Sequence, residues 1–89
     1  MEEYITVAAT NLTTTEKNLY TDSKGAIVKT ILLNNTNQTI TEATLTFDGV
    51  AFNFKLDLGT TVIEGPILTK NLSGLGDGVN VHITGLQLV

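Results

Sequence analysis

Apolar and polar positions alternate most clearly through the middle of the chain. Ala43, Leu45 and Phe47 are separated by Thr44 and Thr46, and Val50, Phe52, Phe54, Leu56 and Leu58 by Ala51, Asn53, Lys55 and Asp57. A period of two puts successive side chains on opposite faces, so both segments read as half-buried strands. Between them stands Asp48-Gly49, a pair that suits the two-residue type I′ turn, where both central residues take positive φ. Residues flanking such a turn share a face, so the two alternations run in phase across it. The reading assigns Phe47, Phe52 and Phe54 to the core.

Ala26 to Leu33 follows a different rule. Ala26, Ile27, Val28, Ile31, Leu32 and Leu33 are apolar, and only Lys29 and Thr30 interrupt them. A strand apolar on both faces is ordinarily covered on both. One face meets the core; the other meets either the chain's own loop or N-terminal segment, or a neighbouring subunit. Elsewhere, strands are expected at Tyr4 to Thr10, Lys17 to Thr21, Thr61 to Ile63, Ile67 to Leu72 and Val79 to Ile83, with Leu86 to Val89 continuing after Gly85. Asp22-Ser23-Lys24-Gly25, Asn34 to Gln38 and the glycine-rich Ser73 to Gly78 read as turns, and Pro66 as an edge or strand start. Seven or eight short strands, one about every ten residues, describe an all-β domain, a small antiparallel β-sandwich or jelly-roll-like unit spanning 1–89.

Composition supports this and narrows the chemistry. Thr, Val and Ile make up 30 of 89 residues, a third of the chain, and these residue types suit pleated strands. A chain of this length buries roughly 60–65% of its unfolded surface, enough for one modest core. Without cysteine there is neither a disulfide framework nor a thiolate metal site. The net charge is −4, with no arginine and five dispersed lysines, which opposes a nucleic-acid binder. No apolar run approaches the ~20 residues of a membrane-spanning helix. The acidic start Met1-Glu2-Glu3 has no apolar leader core, and the expectation is a chain made and folded in a cytoplasm.

Candidate catalytic groups are sparse. His82 is the only histidine, and its alternation with Val81 and Ile83 places it opposite the core face, with no nucleophile beside it in sequence. Asp48, Asp57 and Asp77 lie in or beside turns, and Asp77-Gly78-Val79-Asn80 lacks the ligand alternation of a calcium loop. Gly74 to Gly78 lacks the Gly-Lys-Thr ending of a phosphate loop. Asn11, Asn34, Asn37 and Asn71 head formal glycosylation triplets, read as coincidence in a chain rich in Asn and Thr. No catalytic, cofactor or metal residue is assigned. With the three Phe placed inside, Tyr4 and Tyr20 alone remain as platforms for a sugar.

Leu19-Tyr20-Thr21, then Gly25-Ala26-Ile27-Val28-Lys29 and Leu33-Asn34-Asn35-Thr36, form a strand, a short turn and an apolar strand ending in an Asn-Thr loop. Thr44-Leu45-Thr46-Phe47-Asp48-Gly49 supplies a Thr-rich hairpin, and Leu75-Gly76-Asp77 leads into Val79-Asn80-Val81-His82-Ile83-Thr84-Gly85. In this order, over residues 19–89, the chain resembles small β-sandwich structural proteins of tailed bacteriophages. It departs from them at Asp22-Ser23-Lys24, where such modules often carry a proline. The resemblance implies a non-enzymatic virion component: a decoration or accessory protein of capsid or tail, assembled in the host cytoplasm. Its implied partners are other copies of itself, a trimer being favoured, and capsid or tail proteins, with neither nucleic acid nor membrane. No cofactor and no catalytic residue carry over. Ile27, Val28, Ile31, Leu32, Leu86, Leu88 and Val89 are the candidate interface. The alternative function is an adhesion or glycan-binding module.

Overall fold

A computed structural model describes residues 3–88. Six strands run in the order β1 (Glu3–Asn11), β2 (Lys17–Asn35), β3 (Thr41–Phe47), β4 (Val50–Leu56), β5 (Gly59–Leu75) and β6 (Val79–Gln87), with no helix among the described residues. They form one antiparallel sheet in the spatial order β1-β6-β2-β5-β3-β4. The fold is the all-β antiparallel sandwich that the strand pattern predicts, but with fewer and longer strands. Lys17–Thr21 and Ala26–Leu33 are the two arms of β2, and Thr61–Ile63 and Ile67–Leu72 are the two arms of β5.

The reason is geometric. A straight strand of 19 residues would extend about 60 Å, whereas the molecule measures 42 Å along its longest axis. β2 must bend, and β5, paired with it from end to end, must bend with it. The turn chemistry of Asp22-Ser23-Lys24-Gly25 therefore acts inside a strand. The Asp22 carboxylate accepts from the backbone N–H of Lys24 at 2.8 Å, Gly25 takes φ +90°, and the β2–β5 register shifts between Thr21 and Ala26. A second shift falls between Val28 and Thr30, in the pairings of β2 with both neighbours. Pro66 sits opposite this irregularity on β5, where the ladder does not need its missing N–H.

The bends fold the sheet into two facing layers. The first holds β1, β6, the second arm of β2 and residues 59–69 of β5; the other holds the first arm of β2, residues 71–75 of β5, and β3 and β4. Val28, Ile31, Leu33, Val79, Val81 and Ile83 from the first layer share one buried cluster with Ala43, Leu45, Leu56 and Leu72 from the second. Leu12, Leu19 and Leu45 close over Gly74, and the Leu12 N–H donates to the Val79 carbonyl at 2.7 Å, joining the end of β1 to the start of β6.

Two sequence expectations need correction. Val28 and Ile31, placed in the candidate interface, are completely buried and belong to the core. Phe52, expected in the core, is 49% exposed, and Phe47 and Phe54 are only partly covered. The hairpin phase is right, but it outruns the opposing layer: β4 is the last strand of its layer, and little lies beyond it to receive its apolar face.

Gly85 marks the closest approach of β6 to β2. A Cβ there would lie 2.2 Å from the Ile27 carbonyl oxygen, a backbone atom of the ladder. Gly85→Ala is expected to lower the unfolding free energy by about 3 kcal/mol or more, at the upper end of overpacking costs. Gly49→Ala, whose Cβ would meet nothing within 4 Å but whose φ is +85°, should cost about 1–2 kcal/mol. Urea titration of both variants checks the order; equal losses would show that contact at Gly85 is not the constraint.

Candidate functional site

The hairpin between β3 and β4 is held by its turn. Asp48 and Gly49 have φ of +51° and +85°, the type I′ geometry expected of the Asp-Gly pair. The Asp48 N–H donates to the Asn71 carbonyl at 2.8 Å, and one Asp48 carboxylate oxygen accepts from the N–H groups of Asn71 at 2.8 Å and Lys70 at 2.9 Å. The buried Thr69 hydroxyl lies 3.3 Å from the same oxygen and donates to the Asn71 carbonyl at 2.9 Å. Donation first from the Asn71 N–H and then from the Lys70 N–H holds the Asp48 carboxyl below its ordinary range. The turn is thus clamped to β5 where that strand passes from one layer to the other.

Beside the clamp lies an open apolar groove of about 510 Å³. Phe47, Val50, Phe52 and Phe54 form one wall, Ile63, Ile67 and Leu68 of β5 the other, and Asp48 stands at the rim. The Phe47 and Phe52 rings meet edge to face at 6.0 Å between centroids. The groove is the gap between β4 and residues 63–68 of β5, a stretch that β3 does not pair with.

The outer face of the first layer is a second apolar surface. Register sorts its side chains into rows across four strands. Tyr4, Leu86, Ile27 and Leu68 form one row, and Ala9, His82, Leu32 and Val62 another. Thr6, Thr84, Thr30 and Glu64 lie between them, and Asn11, Asn80, Asn34 and Thr60 beyond. Tyr4 is 76% exposed, Leu68 62%, Val62 53% and Leu32 36%. The second apolar face of Ala26–Leu33 is therefore not overlaid by the N-terminal segment, since β1 lies alongside β6 as an edge strand. Of the candidate interface, Ile27, Leu32 and Leu86 lie together on this face. Leu88 is half-buried, its N–H donating to the Gly25 carbonyl at 3.1 Å, and Val89 lies outside the described residues.

The remaining candidates are dispersed. His82 is exposed on the outer face, as its alternation predicts. No group of three or more His, Cys, Asp or Glu able to hold a metal ion occurs among the described residues. The Asp77 carbonyl accepts from the Asn37 amide at 2.7 Å, which ties that turn to the loop after β2. The Tyr20 hydroxyl donates to the Gln87 side-chain oxygen at 2.6 Å, and burial pushes its pKa up. Sequence reasoning passed over Asn35, which looks like one more residue of a polar loop. It is buried, donating to the Thr39 carbonyl at 3.0 Å and accepting from the Asn37 N–H at 2.9 Å. Its place one step beyond Leu33 in the inward alternation is the signal that could have revealed it.

The clamp has a signed pH dependence. A carboxyl whose pKa is depressed by folding stabilises the fold above its unfolded pKa, about 3.9, and loses that contribution as pH falls through the folded value. Asp48→Asn keeps an acceptor oxygen and tolerates positive φ but cannot ionise. The variant is expected to melt below the parent at neutral pH, with the gap closing as pH falls below about 4. Thermal melts across that range check this; a gap independent of pH would show that ionisation contributes nothing to the clamp.

Comparison of the chain with protein-family models, with curated proteins and with solved structures finds no match.

Proposed function

We propose that this chain is a non-enzymatic structural protein of a tailed-phage particle, a decoration or accessory protein that docks on capsid or tail and associates with its own copies. The observation that carries the docking part is the outer face of the first layer. Two apolar rows there leave Tyr4, Leu68, Val62 and Leu32 in solvent on strands whose other side chains already fill the core. A small domain gains nothing in its own stability from such residues, and contiguous apolar surface on a soluble β-domain marks a contact with another molecule. The row between them, Thr6, Thr84 and Thr30 with Glu64 at its end, adds three hydroxyls and one carboxylate that can hydrogen-bond a partner. The virion assignment rests on the resemblance of residues 19–89 to phage β-sandwich modules.

A second reading, an adhesion or glycan-binding module, draws on Tyr4 alone. Its exposed ring is one sugar platform, with Leu86 rather than polar loop residues beside it, while the Tyr20 hydroxyl is spent on Gln87. Binding on a glycan array without binding to particles would favour that reading.

The docking reading is tested by co-sedimentation with capsids and tails built from the structural proteins encoded beside this chain. The parent is expected to pellet with one of them. Val62→Lys combined with Leu68→Lys should weaken that binding about 10–100-fold, the loss of one or two central apolar anchors. Melting should change little, because both side chains are exposed. A parent that pellets with neither particle would sink the reading, as would undiminished binding of the double variant.

A further inference from the structure

The sheet has two edges, β1 and β4, and the chain treats them differently. β1 breaks its register with β6 between Thr6 and Ala8, and a bulge of this kind twists an edge away from further pairing. β4 runs in unbroken register with β3 from Val50 to Leu56, with neither bulge nor proline. Such an edge is a template for another strand. Backbone groups of an antiparallel pair point alternately toward the partner strand and away from it. The pair closing a two-residue hairpin, Phe47 with Val50, is of the hydrogen-bonded kind, so Val50, Phe52, Phe54 and Leu56 face β3. Ala51, Asn53 and Lys55, all exposed, turn their N–H and C=O groups outward.

We propose that β4 pairs antiparallel with β4 of a second copy of this chain, about a twofold axis passing through Asn53. The backbone selects this register. Centring on Asn53 engages all three outward-facing residues of both copies: Asn53 with the partner's Asn53, Ala51 with the partner's Lys55, and Lys55 with the partner's Ala51. That makes roughly six new backbone hydrogen bonds. Centring on Lys55 would set two ammonium groups opposite one another and leave Ala51 unpaired. Centring on Ala51 would draw the Asp48-Gly49 turn into the ladder.

Side chains agree with the backbone. On the apolar face the register places Phe52 opposite the partner's Phe54, and Phe54 opposite the partner's Phe52, in the closer, non-hydrogen-bonded positions where aromatic cross-strand pairs are favourable. Val50 falls opposite the partner's Leu56. The exposed flank of Phe52 and the open side of the groove are thereby covered by the same strand. On the polar face Lys55 already lies beside its own Glu42 and meets only the partner's Ala51, so no like charges face each other. Asn53, whose side-chain oxygen accepts from the Thr44 hydroxyl at 2.6 Å, sits at an uncharged centre.

This deepens the self-association in the proposed function by naming the strand through which copies meet, and it gives a twofold pair where the resemblance implies a trimer. Of the outer-face residues assigned to docking, only Leu68, which also lines the groove, lies near this contact. A chain that pairs but ignores particles would overturn only the docking reading, and one that binds particles as a monomer would overturn the self-association and leave the docking reading standing.

The test uses the intact chain. Sedimentation velocity over a micromolar concentration series is expected to show the parent at twice its 9.5 kDa mass. Asn53→Pro should run as a monomer with unchanged circular dichroism, because proline is tolerated where an edge N–H faces solvent. Asn53→Ala loses the same side chain, keeps the N–H and should remain dimeric. The chain has no cysteine, so a single introduced thiol reports register directly. Asn53→Cys should cross-link under mild oxidation, since facing Cα atoms of a hydrogen-bonded pair lie about 5.5 Å apart, within disulfide reach. Ala51→Cys should not, its symmetry mate lying about 13 Å away along the strand. A monomeric parent, an Asn53→Pro variant that folds and still dimerises, or equal cross-linking through positions 51 and 53 would each overturn the proposal. If Asn53→Pro fails to fold, the two thiol variants decide.

Discussion

Everything in this molecule hangs on the pairing of β2 with β5. The two strands are hydrogen-bonded from Lys17–Gly74 at one end to Asn35–Gly59 at the other, and every other strand is attached to them directly or through one neighbour. β6 and β1 build outward from the second arm of β2, and β3 and β4 from residues 72–75 of β5. A ladder this long cannot stay straight in so small a molecule, so its register shifts are the places where one sheet becomes two layers. The glycines beside it serve the same end. Gly85 and Gly65 let β6 and β5 approach β2 where side chains would collide with the Ile27 and Val28 carbonyls.

A sandwich built this way has a fixed shortage of cover. Each layer offers one face to the other and one to the surroundings, and the described strands form no third layer. Stability asks only that the inner positions be apolar, and Ile31, Leu33, Val81 and Ile83 meet that demand. Apolar residues at the alternate positions, Leu32, Val62 and Leu68, lie outside it. The clamp at Asp48 adds to the shortage. By fixing the hairpin tip to β5 where that strand turns, it leaves β4 and residues 63–68 of β5 facing each other across a groove, rather than closed together.

What could be read from the chain was whatever depends on neighbours in sequence. The hairpin is the clearest case: alternation, phase and the Asp48-Gly49 turn are local properties, and all are found. The doubly apolar Ala26–Leu33 also announces itself, although its division into core and outer face follows from pairing and needs the register. Local reading failed where tertiary pairing overrides turn chemistry. Asp22-Ser23-Lys24-Gly25 has every mark of a connection between strands, yet β5 runs alongside and holds both arms as one bent strand. The same limit misplaced Phe52: its period assigns a face but not whether another layer extends far enough to cover it. Asn35 was hidden because a buried amide in an Asn-rich loop differs from its neighbours only by parity.

The arrangement also explains how one small domain could meet two kinds of partner. The outer-face rows belong to the first layer and the free edge of β4 to the second. Pairing at an edge extends a sheet within its own plane, whereas docking on a face stacks against it, so the two contacts draw on different atoms: backbone groups at the edge and side chains on the face. The chain has also distributed its protection unequally, with a bulge on β1 and none on β4, so in-plane growth has a single direction. The proposed twofold contact would consume that edge in both copies, closing growth at two. In such a pair Tyr4, Leu32 and Val62 would remain free on each copy.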